Sequence, residues 1–162
     1  MIIYVPNGIY NLYDIKITQN LHVKTIYLRW FFYAQIQMKN EIYSYLKFKI
    51  GEESYEREWE IIPIAPYVIL ENKLSLEPYE YFGEISELLG IKSSKIILYY
   101  NADILMRVEV YYRGDLTKVL VSELNNLNIM LPTNLNILIN YVQDGDLTLL
   151  LYQNKILLQN ST

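Results

Sequence analysis

The sequence predicts an all-β protein, an antiparallel two-sheet sandwich of jelly-roll or Greek-key type with one short helix near residues 83–90; a closed β-barrel is the alternative. Three observations predict it. Ile and Tyr, which favour pleated sheet, number 22 and 17 against only 3 Ala in 162 residues. One long stretch alternates apolar and more polar residues at a period of two, which no helix of period 3.6 can satisfy. Asn-Gly, Gly-Asp and Asp-Gly steps stand between apolar runs, where hairpin turns need residues that tolerate positive φ.

The first hairpin is expected around Pro6-Asn7-Gly8, between the apolar residues 1–5 and a segment in which Ile9, Tyr13, Ile15 and Ile17 fall largely on alternate positions. Across residues 22–38, Ile26, Leu28, Trp30, Phe32, Ala34, Ile36 and Met38 share one parity, and Thr25, Tyr27, Arg29, Tyr33, Gln35 and Gln37 share the other. Unbroken, that strand would run about 55 Å, so a bend, a bulge or a corner between sheets is expected within it.

Residues 41–62 register as a hairpin closed by Gly51-Glu52-Glu53-Ser54. Ile50 then lies opposite Tyr55, Lys49 opposite Glu56, Phe48 opposite Arg57, Lys47 opposite Glu58 and Leu46 opposite Trp59. Opposite charges meet on one face and apolar residues on the other, and a one-residue slip would carry charge into the core. Pro63 and Pro66 end this strand because neither can donate to a ladder, and residues 67–70 read as a short strand. Ile85, Leu88 and Leu89 at i, i+3 and i+4, with Glu84 and Glu87 early and Gly90 as the C-terminal stop, describe the one helix.

Beyond Lys95 the strand pattern resumes, with residues 96–100 and 104–112 flanking an Asn101-Ala102-Asp103 turn. Gly114-Asp115 reads as a type II′ loop that pairs Val110 with Val119 and Val108 with Val121. Asp144-Gly145 reads as a type I′ turn that sets Ile137, Leu138 and Ile139 against Leu150, Leu151 and Tyr152. Apolar residues on both parities imply strands that are covered on both faces or take part in an intersubunit contact. No repeat or linker interrupts the chain, so residues 1–162 read as a single β-sandwich domain.

The absence of Cys excludes disulfides, thiolate nucleophiles and thiolate metal sites, and the single His22 excludes any site built on two imidazoles. A net charge of −4 without a basic run argues against nucleic-acid binding. No apolar stretch reaches the length of roughly 18 residues that a membrane span needs, and no secretion signal precedes the first strand; a mature, soluble chain is expected. Glu52, Glu53, Glu56, Glu58 and Glu60 read as a solvated charged face, since the opposing lysines lower rather than raise a carboxylate pKa. Asp144-Gly145-Asp146 lacks the remaining ligands of a calcium loop, Arg113-Gly114-Asp115 matches an adhesion tripeptide but also satisfies a turn, and Asn160-Ser161-Thr162 is a terminal sequon. No catalytic, cofactor-binding or metal site is therefore expected, and no enzymatic activity. The candidate interface residues are Tyr27, Tyr33, Tyr43, Tyr45 and Tyr111, which fall on the wetter parities, together with Leu138 and Leu151.

The Tyr/Ile/Leu/Asn-rich, Ala-poor composition, with Ile96-Ile97-Leu98-Tyr99-Tyr100 and residues 147–152 as typical stretches, resembles that of virion proteins of crenarchaeal viruses. The resemblance implies a single jelly-roll capsid or capsid-associated subunit, located in the virion, whose partners are copies of itself and other protein subunits. The alternatives are a carbohydrate-binding or adhesion β-sandwich module and a lipid- or small-ligand-binding β-barrel.

Overall fold

The structure, a computed structural model, describes residues 2–5, 8–11, 41–65, 69–71 and 74–158. The chain divides into two compact units, Met1–Gln37 and Met38–Thr162. In the first, β1 (Ile2–Val5) pairs antiparallel with β2 (Gly8–Asn11), from Ile2↔Asn11 to Val5↔Gly8. The first hairpin thus forms where expected, with Gly8 inside the second strand. The long alternating stretch 22–38, and Tyr27 and Tyr33 with it, lie outside the described residues.

The second unit begins with α1 (Tyr43–Leu46), a single turn, and a 3-10 stretch, Ser54–Glu60. There follow β3 (Ile61–Pro63), β4 (Ile69–Glu71), β5 (Leu74–Tyr81), β6 (Glu87–Leu88), β7 (Ile91–Lys92), β8 (Lys95–Asn101) and β9 (Ile104–Arg113). Helix α2 (Thr117–Asn126) precedes the final pair, β10 (Leu135–Val142) and β11 (Leu147–Asn154). The main sheet is antiparallel with the order β10-β11-β9-β8-β5-β3, and β4 adds to β5 as a seventh strand. Pro78 is tolerated inside β5 because the neighbouring strand changes there: β4 pairs as far as Leu76 and β3 begins at Tyr79.

Three hairpins show how turn chemistry fixes this sheet. Ala102 and Asp103, both at positive φ, close β8 onto β9 at Asn101↔Ile104, as expected. β10 and β11 pair with Ile137↔Tyr152, Leu138↔Leu151 and Ile139↔Leu150, the expected register, although the connection is a short 3-10 turn, Gln143–Gly145, with Asp146 rather than Gly145 at positive φ. The third replaces the helix predicted over 83–90. Leu89 and Gly90 have φ of 54° and 72°, and they turn β6 directly onto β7 at Leu88↔Ile91, with Glu87 opposite Lys92. A C-terminal helix stop and a type I′ turn make the same demand for positive φ, and the i, i+3, i+4 spacing here is accidental.

Two further expectations are overturned. The hairpin over 41–62 does not form: Tyr43–Leu46 and Ser54–Glu60 are helical turns, and Lys47 adopts φ 68°, which no continuous strand allows. Leu46, Phe48 and Ile50 are nevertheless buried and Lys47 and Lys49 exposed, so the alternation holds without the ladder. Arg57 does lie beside Phe48, its guanidinium 4.6 Å from the ring centroid, but its carboxylate partners are Glu52 and Glu60. The hairpin at Gly114-Asp115 also fails, since α2 begins at once. Asp115 Oδ1 accepts the Thr117 amide at 3.1 Å and Thr148 Oγ1 accepts the Leu116 amide at 2.8 Å, so the first helical donors are satisfied before a strand can start. Leu120 is buried and Leu116, Leu124 and Leu127 pack against the core at helical spacing, while Val119 and Val121 are exposed.

The sheet has two unequal faces. Ile96, Leu98, Tyr100, Val108, Val110, Tyr112, Leu150 and Tyr152 face a core covered by α1, residues 48–50, the β6–β7 hairpin and α2. Full burial of each such Leu contributes about 1.5–3 kcal/mol. The other face carries a smaller cluster of Leu76, Ile97, Tyr99, Met106 and Leu157. A bulge joins the two patterns: Tyr99 pairs with Arg107 but Tyr100 with Leu105, leaving Met106 as the extra residue. The sheet does not close into a barrel, because β10 and β3 stand at opposite ends of the strand order. The barrel expectation is therefore wrong, and an interior for a lipid or small ligand has no closed wall. No helix among the described residues is long and apolar enough to cross a membrane.

Candidate interaction surface

The smaller face of the sheet carries two neighbouring sets of buried polar groups. Tyr99 and Tyr111 both donate to Glu109 Oε2, at 2.8 and 2.7 Å, and Arg107 Nε donates to Gln153 Oε1 at 2.7 Å. The Arg107 guanidinium lies 5.5 Å from the centroid of the Tyr99 ring. The pairings Tyr99↔Arg107, Arg107↔Gln153 and Glu109↔Leu151 bring these groups onto three adjacent strands. Burial, with the Glu109 carboxylate beside them, pushes both phenols above their ordinary pKa of 10.0, so they remain protonated donors. Arg107, Glu109 and Gln153 are buried, and the Arg107–Gln153 bond and the two tyrosine bonds to Glu109 lock strand register. Among the described residues no group of three His, Cys, Asp or Glu side chains could hold a metal ion.

A different surface is open and apolar. Between α2, residues 128–131 and β10 runs a groove of about 730 Å³, lined by Leu124, Ile129, Met130, Ile137 and Leu138 among others. Met130 is 63% exposed and Leu138 45%. β10 forms one wall of this groove and is also the last strand in the sheet order, so among the described residues only one of its edges is paired, with β11. Leu138, Asn140, Tyr141 and Val142 are all exposed, and the Tyr141 hydroxyl donates to Asp146 Oδ1 at 2.8 Å.

A second groove, about 460 Å³, lies between residues 53–61 and Tyr79 and Asp103, with Glu53 and Glu58 on its rim. Tyr55, which lines it, is 68% exposed, and Trp59 in the same 3-10 stretch is 84% exposed. Arg57 anchors this segment from beneath through Glu52 at 2.7 Å and Glu60 at 3.2 Å.

The candidate interface residues separate in space. Leu138 and Leu151 are paired neighbours at the β10 end of the sheet, with Leu138 exposed and Leu151 half-buried. Tyr111 is half-buried and committed to Glu109. Tyr43 and Tyr45 belong to α1; Tyr43 packs against the main core and Tyr45 is exposed. Trp59, Tyr55 and Met130 were not anticipated as surface residues. The hairpin register that fails places the first two inward, and Met130 lies past α2, where the Gly114-Asp115 hairpin predicts strand although Leu116, Leu120, Leu124 and Leu127 fall at helical spacing. No protein-family model, curated protein or solved structure matches this chain.

Proposed function

We propose that the chain is a structural assembly subunit, of the class that builds virion shells, acting through protein–protein contacts with copies of itself or other subunits. One observation carries the reading: an apolar groove and a half-paired edge strand share the same residues, Ile137 and Leu138. Monomeric proteins usually blunt such edges with charge, proline or a covering segment, and a large exposed apolar patch marks a contact site. The compositional resemblance to virion proteins points the same way. The two-sheet jelly-roll form belongs to this proposal. Static light scattering on the native chain tests it: a mass that is a multiple of the monomer is expected, and a strict monomer at high concentration refutes it.

A second reading, a carbohydrate-binding module, draws on Tyr55, an exposed ring lining a groove with Glu53, Glu58 and Asp103, and on Trp59, exposed in the same 3-10 stretch. Such rings stack on sugar faces while carboxylates accept hydroxyl protons. A glycan array with Trp59→Ala as control decides it: binding lost on substitution supports this reading, and no signal with the native chain removes it.

A further inference from the structure

We infer that β10 is a two-fold contact: the edge strand of a second copy pairs antiparallel with it, centred on Leu138, so that two sheets become one. This rests on the assembly reading and names its partner. The observation behind it is a palindrome. Residues 136–140 read Asn-Ile-Leu-Ile-Asn, all within β10. A two-fold axis normal to the sheet at Leu138 sets Leu138 opposite its own copy, Ile137 opposite Ile139 of the partner subunit, and Asn136 opposite Asn140 of the partner subunit. Residues paired in an antiparallel ladder project from the same face. Within residues 136–140 every apolar residue therefore meets an apolar one, and each Asn meets an amide that can both donate and accept.

The alternatives on the same edge are poorer. Moving the centre to Ile139 sets Leu138 against Asn140 and Asn136 against Val142, which leaves each amide facing an apolar side chain. Moving it to Ile137 sets Asn136 against Leu138, and a one-residue slip in either sense turns the two faces of the combined sheet against each other. The strand itself, Leu135–Val142, contains no Asp, Glu, Lys, Arg or Pro, so nothing in it opposes pairing with an identical chain.

Charge complementarity at the strand ends favours the antiparallel sense. The turn after Val142 carries Asp144 and Asp146, both exposed. At the other end Lys155, exposed, donates its amide to the Asn134 carbonyl at 2.8 Å. Antiparallel pairing brings the acidic end of one subunit alongside the basic end of the other, whereas a parallel arrangement would set like beside like. A symmetric contact of this kind uses one patch twice and needs no second surface.

The test uses the full chain and sedimentation velocity. Leu138 is exposed, so Leu138→Lys and Leu138→Glu retain the fold, as circular dichroism checks. Each places two like charges directly across the axis, and self-association should weaken by about a hundredfold or more. An equimolar mixture of the two variants should associate again, because position 138 faces itself only in this register. The chain has no Cys, so Leu138→Cys introduces a single thiol, and oxidation should join two subunits through it. Asn136→Cys should not cross-link, since the axis leaves its two thiols about 14 Å apart along the strands. An assembly whose mass is unchanged by Leu138→Lys, or one that cross-links through position 136 and not 138, overturns the β10 contact and leaves the assembly reading standing. A native chain that is monomeric throughout overturns both.

Discussion

Tyr152 is fully buried in β11, and its hydroxyl donates to the carbonyls of Leu46 at 3.0 Å and Phe48 at 3.2 Å. Together with the backbone bonds that join Gly51 and Glu52 to Leu105 and Ser54 to Asp103, this phenol ties the segment after α1 to the sheet. Tyr152→Phe keeps the ring and its packing and removes only the oxygen. The Leu46 carbonyl retains the Phe48 amide at 2.9 Å, but the Phe48 carbonyl loses this donor in a buried site. The loss of such a bond costs about 1–3 kcal/mol. With an m-value of about 2 kcal/mol/M the urea midpoint should fall by roughly 0.5–1.5 M, at unchanged m. Tyr112→Phe is the matched control. Its hydroxyl is equally buried but has no partner among the described residues, so its removal should leave the midpoint unchanged or raise it. Equal midpoints for Tyr152→Phe and the native chain, or an equal fall in both variants, would refute the reasoning.

Alkaline pH should unfold the second unit. Tyr99, Tyr100, Tyr111, Tyr112 and Tyr152 are all held above the ordinary phenol value of 10.0, chiefly by burial. Above that pH the unfolded chain binds fewer protons than the folded one, so stability is complete below about pH 10 and falls as pH rises; tyrosinate absorbance should appear together with loss of structure, and reversible ionisation in an intact fold would contradict this. Arg57→Met strands the buried Glu52 carboxylate and should destabilise by about 2–4 kcal/mol, somewhat less than for a fully buried pair because the Arg57 side chain is 16% exposed. Pairing it with Glu52→Gln in denaturant titrations should recover part of that loss. Gly90→Ala forces a side chain into φ 72° and should lower stability by about 1–2 kcal/mol even though a Cβ meets no neighbouring atom. A change of less than a few tenths of a kcal/mol on denaturant unfolding would show that the β6–β7 turn relaxes.

What could be read from the sequence was parity, and what could not was the partner each parity implies. The β10–β11 register is legible because the short turn between the strands leaves only one alignment. Leu46 and Ile50 lie inward as their parity predicts and Tyr55 and Trp59 do not, and the ladder drawn from them does not exist. Alternation records which side chains are buried, and an irregular segment with Lys47 at positive φ can satisfy it. Likewise Val119 and Val121 resemble a strand at period two, while Leu116, Leu120, Leu124 and Leu127 mark a helix in the same residues. Asp115 and Thr148 decide between them, and Thr148 comes from a strand some thirty residues further on. Of the candidate surface, Leu138 and Leu151 were legible because their position on a doubly apolar strand already asked for cover. The exposure of Trp59 was not, because it depends on Arg57 reaching Glu52 and Glu60 instead of lying in a ladder.

The same contrast bears on how an assembly could find its register. Within the sheet, alignment of β8, β9 and β11 is set by groups that tolerate only one arrangement: Glu109 between two phenols, and Arg107 against Gln153. A slip there would leave a carboxylate or a guanidinium buried and unpaired. β10 carries no such group, and its pairing to β11 is held by apolar matches and by the turn. On its outer side no turn acts, so an uncharged strand would ordinarily slide freely against a partner. The Asn residues two positions either side of Leu138 restore a penalty for sliding, because any other centre leaves an amide opposite an apolar side chain. Leu138→Asn should therefore blur the register rather than abolish association, and a cysteine scan across 136–140 in that variant should cross-link at several positions where the native background cross-links at one.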